Sequence, residues 1–348
     1  MSPRRARRFG LIGTITKDFI TSDSTAGPRK EKGTVHGTVH GTIPKNILGS
    51  VPGTVPGRGR AACIGLGGVL YQAAVLCGLN EDVILHTNVG RELQDEVRAV
   101  VDGWPTLRTS GVRPFPGPGN RVRLHYPDRG ERREVLESAV PALDPVPILH
   151  DLPRLDFLIM VINSGFDIAV GDWRQIVRAA RCPAWLDIHS LVLTKVLNAE
   201  RRYRALPEWR EWAEGVAYLQ ANRKEVACML GRPDEAEDWP SADSGEMRRF
   251  ADTAFEIGVR AVLLTLGKEG ALVMTPAVRR IIPSPPVDRL VDTTGCGDVF
   301  CSATATKLVR GEDPFEAAAY GVALASRAAA VSGVLETYEL ARSEMKAP

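Results

Sequence analysis

Short apolar runs alternate with amphipathic stretches over most of the 348-residue chain. The runs are bounded by polar or glycine-containing segments, and they predict buried strands at 8–15, 83–87, 157–162, 184–188, 216–220 and 261–266. The intervening stretches show helical spacing of apolar residues, and they predict helices at 70–77, 92–101, 172–180, 224–230, 246–257, 298–309 and 314–331. Apolar strands that alternate with helices are typical of a mostly parallel sheet covered on both faces. The pattern therefore predicts an α/β fold.

Two segments depart from this alternation. In 121–135, Val122, Leu124 and Tyr126 alternate with polar residues ahead of a Pro-Asp-Arg-Gly turn, which predicts a β-hairpin. Residues 33–57 repeat a Gly-Thr-Val unit and offer little apolar surface to offset the entropy of ordering. We interpret 33–57 as a flexible insertion without chemistry of its own; a specific binding arm is the alternative.

Charge and cysteine content exclude several classes of protein. Lys and Arg number 44 and Asp and Glu 42, and the chain lacks the concentrated basic footprint of nucleic-acid binding proteins. The six cysteines include no C-x-x-C pair, which argues against a zinc site and for a reduced compartment. The longest apolar run, 157–162, is far shorter than the ~18 residues that a membrane-spanning helix needs. We expect a soluble cytoplasmic protein without membrane or nucleic-acid partners.

The strongest candidate chemistry lies in 291–308, where a strand-like segment runs into Gly295-Cys296-Gly297 and a helix that begins near Asp298. Glycines permit backbone angles that other residues avoid, and unpaired amides at a helix N-terminus attract anions. An aspartate beside such amides can act as a general base in phosphoryl transfer. Taken alone, the segment is equally consistent with an ordinary glycine-rich turn before an acidic helix start.

The segment DTTGCGD (292–298) resembles the D-T-x-G-A-G-D signature of the ribokinase-like sugar kinases, also called the phosphofructokinase B family. The resemblance extends over roughly 9–334, because further motifs occur in family order. They are GTITKD (13–18), GLGGVLYQAA (65–74), NRKE (222–225) and TLGKEGAL (265–272). Neither a Walker loop nor a dinucleotide fingerprint is present as an alternative nucleotide motif.

This resemblance implies a three-layer α/β/α sandwich with a mostly parallel central sheet and a small β lid. The kinase domain would span 9–340, with lid segments near 19–62 and 108–138 and with tails at 1–8 and 341–348. The implied activity is transfer of the γ-phosphate of ATP, with Mg²⁺, to a hydroxyl of a sugar, sugar acid or nucleoside. A homodimer formed through the lid is one assembly that the resemblance allows.

The resemblance also assigns roles to individual residues. Asp298 is the expected general base, and the amides of Gly295, Cys296 and Gly297 are expected to stabilise the transferring group. The expected substrate-binding residues are Asp18, at the carboxyl end of the first strand, and Gly67, Gly68 and Gln72. The expected nucleotide-binding residues are Thr265, Gly267, Gly270 and Asn222. Metal contacts, mainly indirect, are expected from Glu225 and Asn222.

Some positions depart from the family pattern or have a second interpretation. Thr16 and Gln72 replace the family's usual asparagines, and GREL (90–93) replaces an acidic motif, so the sugar pocket looks rebuilt while the transfer machinery looks intact. Asn222 and Glu225 on their own indicate a helix capping box. Cys296 stands where alanine is usual, either as a small apolar substitute or as a reactive thiol. The alternative function is a non-catalytic nucleotide or metabolite sensor with this fold.

Overall fold

The computed structural model describes residues 5–22, 62–127, 133–235 and 244–345, and the predicted insertion at 33–57 lies outside them. The described strands are β1 (Arg8–Ile12), β2 (Ile15–Ser22), β3 (Ala62–Gly68), β4 (Asp82–Gly90), β5 (Leu107–Phe115), β6 (Asn120–Tyr126), β7 (Arg133–Ser138), β8 (Phe157–Val161), β9 (Ala184–Asp187), β10 (Tyr218–Asn222), β11 (Ala261–Thr265), β12 (Ala271–Met274) and β13 (Arg279–Ile282). The described α-helices are α1 (Leu70–Gly78), α2 (Gln94–Val101), α3 (Pro145–Asp151), α4 (Val170–Ala179), α5 (Trp209–Ala213), α6 (Arg223–Met229), α7 (Gly245–Glu256), α8 (Cys296–Leu308), α9 (Pro314–Ala328) and α10 (Gly333–Glu344).

The larger sheet has the strand order β13-β12-β11-β10-β9-β8-β1-β4-β5. Its strands are parallel from β11 across to β5, and only β12 and β13 run antiparallel to their neighbours. Alternate residues of β8 enter two different hydrophobic clusters: Phe157 and Ile159 join α8 and α9, whereas Leu158 and Met160 join α4 and α7. Because successive side chains of a strand face opposite sides, the two clusters are the two cores of a helix–sheet–helix sandwich. The predicted fold class is confirmed.

The smaller sheet has the order β3-β2-β6-β7 and forms the lid. Its β6 and β7 are the predicted hairpin, paired antiparallel. The lid limits differ from the expected segments, because β2 already belongs to the lid from Ile15 onward. In addition, Leu107–Phe115, expected largely within the lid, pairs with β4 in the main sheet as β5.

The position of Asp18 is a correction to the sequence analysis. Asp18 lies in the middle of the lid strand β2 and not at the carboxyl end of the first strand, which ends at Ile12. The change of sheet is held by Thr14, whose Oγ1 donates to Asp167 at 2.6 Å and whose carbonyl accepts from Asn163 Nδ2 at 3.0 Å. The apolar run 8–15, predicted as one strand, therefore contains the end of β1 and the start of β2, and its side-chain pattern does not indicate this boundary.

The lid is joined to the body of the protein on two flanks. Lys17 of β2 forms an ion pair with Glu96 of α2. On the other flank, the amides of Asn198 and Arg201 donate to the carbonyls of Leu136 and Glu134 at 2.9 and 2.8 Å. Residues 198–201 thus occupy the outer edge of β7 with backbone hydrogen bonds.

The chain terminus is another difference from expectation. Residues 341–344, expected as part of a tail, form the last turn of α10. Ala341 is buried and packs in one cluster with Val75 and Leu79, at the end of α1. The helix continues because this apolar contact covers its final turn.

Candidate active site

A cavity of about 270 Å³ lies where the lid faces the carboxyl ends of the main-sheet strands. The ends of three neighbouring strands contribute Asp187, Asn222 and Thr265 to its wall. The lid contributes residues of β2, β6 and β7, and the start of α8 closes the remaining side. Ligands of open parallel sheets bind at this edge, which makes the cavity the candidate active site.

The start of α8 is shaped by a glycine. Gly295 has φ +80°, a left-handed conformation, and a β-carbon there would lie 2.5 Å from Cδ1 of Tyr71. Only glycine fits both constraints. Gly295, Gly297 and Asp298 line the cavity at this helix N-terminus, where amides lack intrahelical partners. Cys296 is not among the lining residues, and its amide donates to the Thr293 carbonyl at 3.3 Å.

Asp298 faces the cavity from the first turn of α8. Burial raises the pKa of its carboxyl group to about 6, while the nearby His189 and a hydrogen bond from Gln72 act in the opposite direction. A carboxyl group with this pKa is mostly ionised at neutral pH, yet it can accept a proton readily. Both properties are those of a general base.

Gln72 is positioned differently from the substrate contact that the sequence suggested. It is fully buried on α1, does not line the cavity, and its Nε2 donates a hydrogen bond to Oδ1 of Asp298. The two residues are 226 positions apart in the sequence. Gln72 therefore contacts the expected base directly, and a contact with the substrate remains a prediction.

Asp187, His189 and Gln220 surround Asp298, and the sequence analysis did not identify them. Gln220 Nε2 donates to Asp187 Oδ2 at 3.0 Å and to the Gly297 carbonyl at 3.2 Å. Burial and the Glu225 charge raise the pKa of Asp187 well above its usual value. The signal for Asp187 was available, because a polar residue that ends a buried strand is a candidate ligand-binding residue in this type of sheet.

Among the described residues of the cavity wall, His189 is the basic side chain. Its Nδ1 lies 3.9 Å from Oε1 of Glu225, and its side chain is 46% exposed. Burial lowers the pKa of His189, but the carboxylates of Glu225 and Asp187 outweigh that effect and raise it to about 9. At neutral pH His189 is therefore a cation among carboxylates.

Asn222 and Glu225 form a complete capping box at the start of α6. The Asn222 side chain accepts from the Glu225 amide at 2.9 Å, and Glu225 Oε2 accepts from the Asn222 amide at 2.8 Å. Both residues also line the cavity. The capping interpretation is confirmed, and a role of the same pair in binding phosphate or metal remains a prediction.

Among the expected acceptor residues, Asp18 and Gly68 line the cavity. Gly67 does not, but it pairs with Thr16 on β2 and lies close to the Asp18 side chain: a β-carbon at Gly67 would be 2.5 Å from the Asp18 Oδ2. A side chain at this position would displace the carboxylate. Thr16, the departure from the family pattern, is buried and lines the same part of the cavity.

The turn after β11 contains the remaining expected nucleotide residues. Thr265 lines the cavity, whereas Gly267, which begins a short 3-10 turn, and Gly270, which follows that turn, lie outside the cavity wall. Their expected role as nucleotide contacts remains a prediction. Partial burial raises the pKa of the Cys296 thiol to about 12, which disfavours the alternative of a reactive thiolate.

The chain is an α/β/α sandwich with a β lid, and an acidic residue, Asp298, lies in the first turn of α8 after Gly295. This combination defines the class of lidded α/β/α proteins that the sequence motifs predicted. Residues 189–340 match the model of the pfkB family of carbohydrate kinases. The chain is 28% identical over 140 residues to a ribokinase of Arabidopsis thaliana, a match that covers 39% of this chain and 34% of the relative. The aligned segment thus spans about a third of that relative's length.

Two solved structures share the fold over nearly the full chain. The Arabidopsis thaliana ribokinase complexed with ribose and ATP has a TM-score of 0.69 at 17% identity, covering 99% of this chain and 100% of the other. The Burkholderia thailandensis nucleoside kinase in complex with inosine has a TM-score of 0.66 at 17% identity, covering 98% and 95%. These findings confirm the predicted resemblance to the ribokinase-like (PfkB) carbohydrate kinases. No helix in the described part of the chain is long and apolar enough to cross a membrane.

Proposed function

We propose that the protein is a kinase that transfers the γ-phosphoryl group of ATP to a hydroxyl of a sugar or nucleoside. The observation that carries the proposal is Asp298: a carboxyl group with a pKa of about 6 faces the cavity from a helix N-terminus led by Gly295. The complexes of the two structural neighbours, with ribose and ATP and with inosine, support this choice of donor and acceptor.

In this reaction the oxygen of the acceptor hydroxyl forms a bond to the γ-phosphorus, and Asp298 takes the proton of that hydroxyl. The bond between that phosphorus and the bridging oxygen breaks, and ADP leaves with the electron pair. Amides at the start of α8 stabilise the charge on the transferring group. The lid, with Val122 and Leu124 on the cavity wall, keeps water away from it.

Magnesium fits this site only together with the donor. The described residues contain no group of three or more metal-ligating side chains, and both Glu225 oxygens already accept hydrogen bonds from Asn222. Mg²⁺ would therefore be held mainly by phosphate oxygens and water, with Glu225 and Asn222 in indirect contact. When bound, it neutralises phosphate charge during transfer.

The test is ADP release from ATP over a panel of sugars and nucleosides, with purified full-length protein. Acceptor-dependent ADP release supports the proposal, and phosphorylated product identified by mass spectrometry completes it. Tight nucleotide binding without turnover of any acceptor would instead indicate the alternative function, a non-catalytic nucleotide or metabolite sensor.

A lid-mediated homodimer also remains a prediction. Residues 198–201 cover the β7 edge of the lid sheet, so the dimer would use the opposite edge, β3.

A further inference from the structure

Two consecutive residues of α1 meet the start of α8 beside the cavity. Tyr71 and Gln72 lie in the first turn of α1, and both side chains are buried. Gln72 donates a hydrogen bond to Asp298, whereas Tyr71 contacts Gly295. A β-carbon on Gly295 would lie 2.5, 2.6 and 2.7 Å from Cδ1, Cγ and Cε1 of the Tyr71 ring. The glycine that leads α8 is therefore packed directly against an aromatic ring, and the same ring lines the cavity.

From this contact we infer that Tyr71 is a positioning residue of the active site. Its ring holds Gly295 in place, and through Gly295 it holds the amides and the carboxylate at the start of α8 in position for the γ-phosphoryl group of the donor. The inference rests on the proposed function and adds to it a residue to which the sequence analysis assigned no role.

Gly295 is a residue whose conformation needs support. It is the N-cap of α8, with φ +80° and without a side-chain hydrogen bond to the helix start. Its carbonyl accepts from the Val299 amide at 2.8 Å, so its orientation sets the direction in which the helix begins. Glycine has more backbone conformations open to it than any other residue. The Tyr71 ring restricts them, because a shift of Gly295 toward α1 would bring its α-carbon into the ring.

The neighbours of Gly295 are held by hydrogen bonds. On one side, the Thr294 amide donates to Asp292 Oδ1 at 2.8 Å. On the other side, the Gly297 carbonyl accepts from Gln220 Nε2 at 3.2 Å. Gly295 has no side chain that could form such a bond, so packing is the means by which α1 can hold it. Groups that bind a transferring phosphoryl must be fixed to within about 0.5 Å, and the ring supplies this fixation at Gly295.

The phenol of Tyr71 is a neutral group and not a second base. Burial and the nearby carboxylates of Asp292 and Asp18 raise its pKa well above the usual value. The hydroxyl therefore keeps its proton at neutral pH and does not compete with Asp298 for the proton of the acceptor. The part of Tyr71 that matters for transfer is accordingly its ring.

Nucleotide binding tests the inference without requiring turnover. Calorimetry on the full-length protein gives the Kd of ADP and of AMP-PNP, a non-hydrolysable ATP analogue. Tyr71→Leu removes the ring, so the Kd of AMP-PNP should rise about tenfold or more, because hydrogen bonds to a charged phosphoryl group are strong and depend on geometry. The Kd of ADP should change by less than about threefold, since ADP lacks the group that faces α8. Equal changes for both nucleotides, or none, would overturn the inference.

A matched variant separates positioning from the loss of packing. Tyr338 belongs to the same hydrophobic cluster as Tyr71 and stacks on Trp104 at a ring-centroid distance of 5.5 Å, but it does not line the cavity. Both Tyr71→Leu and Tyr338→Leu should therefore melt several degrees below the wild type. Only Tyr71→Leu should lower kcat, by about tenfold or more, while Tyr338→Leu should keep kcat within about twofold. Equal losses of kcat in both variants would show a merely structural role.

Tyr71→Phe provides the rescue, because it keeps the ring and removes only the hydroxyl. It should recover kcat and the Kd of AMP-PNP to within about threefold of the wild type. A loss as large as that of Tyr71→Leu would assign the effect to the hydroxyl and overturn positioning by the ring. If Tyr71→Leu does not fold, Tyr71→Met, whose flexible side chain fills more of the space, should show the same selective loss for AMP-PNP; unchanged binding there would refute the inference equally.

The proposed kinase activity and the role of Tyr71 can fail separately. A wild type that binds both nucleotides but phosphorylates no acceptor would refute the kinase, and the two Kd values would still decide the role of Tyr71. A wild type that binds neither nucleotide would overturn both.

Discussion

Gln72 and Asp298 are joined by a hydrogen bond from the amide Nε2 to the carboxylate Oδ1, which connects α1 to the start of α8. A donor to a carboxylate favours its charged form and lowers its pKa, in opposition to burial, which raises it. Gln72 thus acts together with His189 against the effect of burial on the expected base. We predict that Gln72 is a positioning residue, which acts through Asp298.

The first prediction is the pH profile that follows from this contact. If Asp298 is the base and acts as the carboxylate, kcat/KM should fall as the pH drops below about 6. Gln72→Met removes the donor at similar size, so the pKa of Asp298 should rise and the acidic limb should move to higher pH. Gln175→Met, exposed on α4, is the control and should leave the profile unchanged. An acidic limb at the same pH in Gln72→Met would show that the contact does not tune the base.

The second prediction concerns the base itself. Asp298→Asn should lower kcat by at least ~10²-fold, because general bases contribute about that much or more. ATP affinity, measured by calorimetry, should persist, since the amides of α8 do not depend on the carboxylate. Asp288→Asn, in an exposed loop, should behave as wild type. Near-wild-type turnover of Asp298→Asn would remove Asp298 from its role.

The third prediction separates capping from metal and phosphate binding at α6. Asn222→Ala combined with Glu225→Gln should lower the free energy of unfolding by about 1 kcal/mol through the lost cap. It should also raise the Mg²⁺ concentration needed for half-maximal rate, if the pair contacts metal and phosphate. Ser244→Ala removes another N-cap, the 3.1 Å bond from the Met247 amide, outside the cavity wall. Ser244→Ala should lower the stability without changing the magnesium dependence of the rate. Identical magnesium curves for the wild type, the double variant and Ser244→Ala would show that Asn222 and Glu225 serve only as a helix cap.

The fourth prediction is that Cys296 is chemically inert. With a pKa raised to about 12 by burial, its thiol stays protonated at neutral pH, and the thiolate is the reactive form. Iodoacetamide at pH 7.5 should therefore leave Cys296 unmodified in the folded protein, whereas all six cysteines should react in urea. Cys296→Ala should keep kcat within about twofold. Rapid alkylation of the native protein at Cys296, detected by peptide mass spectrometry, would contradict this account.

Six main-sheet strands were predictable because buried parallel strands are continuous apolar runs, as in 157–162, where β8 ends one residue earlier. The strands β5, β12 and β13, at the two ends of the sheet, were not predicted. The helix at α8 and its acidic start were predictable from the glycines before Asp298. The break between β1 and β2 was not, because it depends on Thr14 contacting Asp167, a residue 153 positions away. Local periodicity carries no information about such a contact.

The same distinction applies to the site. Asp18 and Asp298 follow from local motifs, and both reach the cavity. Glu134 enters the site only because β7 folds back on β6 and pairs with residues 198–201. In sequence it is one charged residue in a run of several. Its position on the cavity wall, with Arg201 buried behind it, is visible only in the structure.

The pairing of β7 with residues 198–201 also bears on how the molecule unfolds. Backbone hydrogen bonds and the buried Arg201 guanidinium connect the lid to the segment that follows β9. If the lid detached, Arg201 would stay buried without the Glu134 carboxylate, which is strongly unfavourable. Lid and sandwich should consequently lose structure in one cooperative transition, and the amides of β7 should exchange with solvent as slowly as those of the central strands.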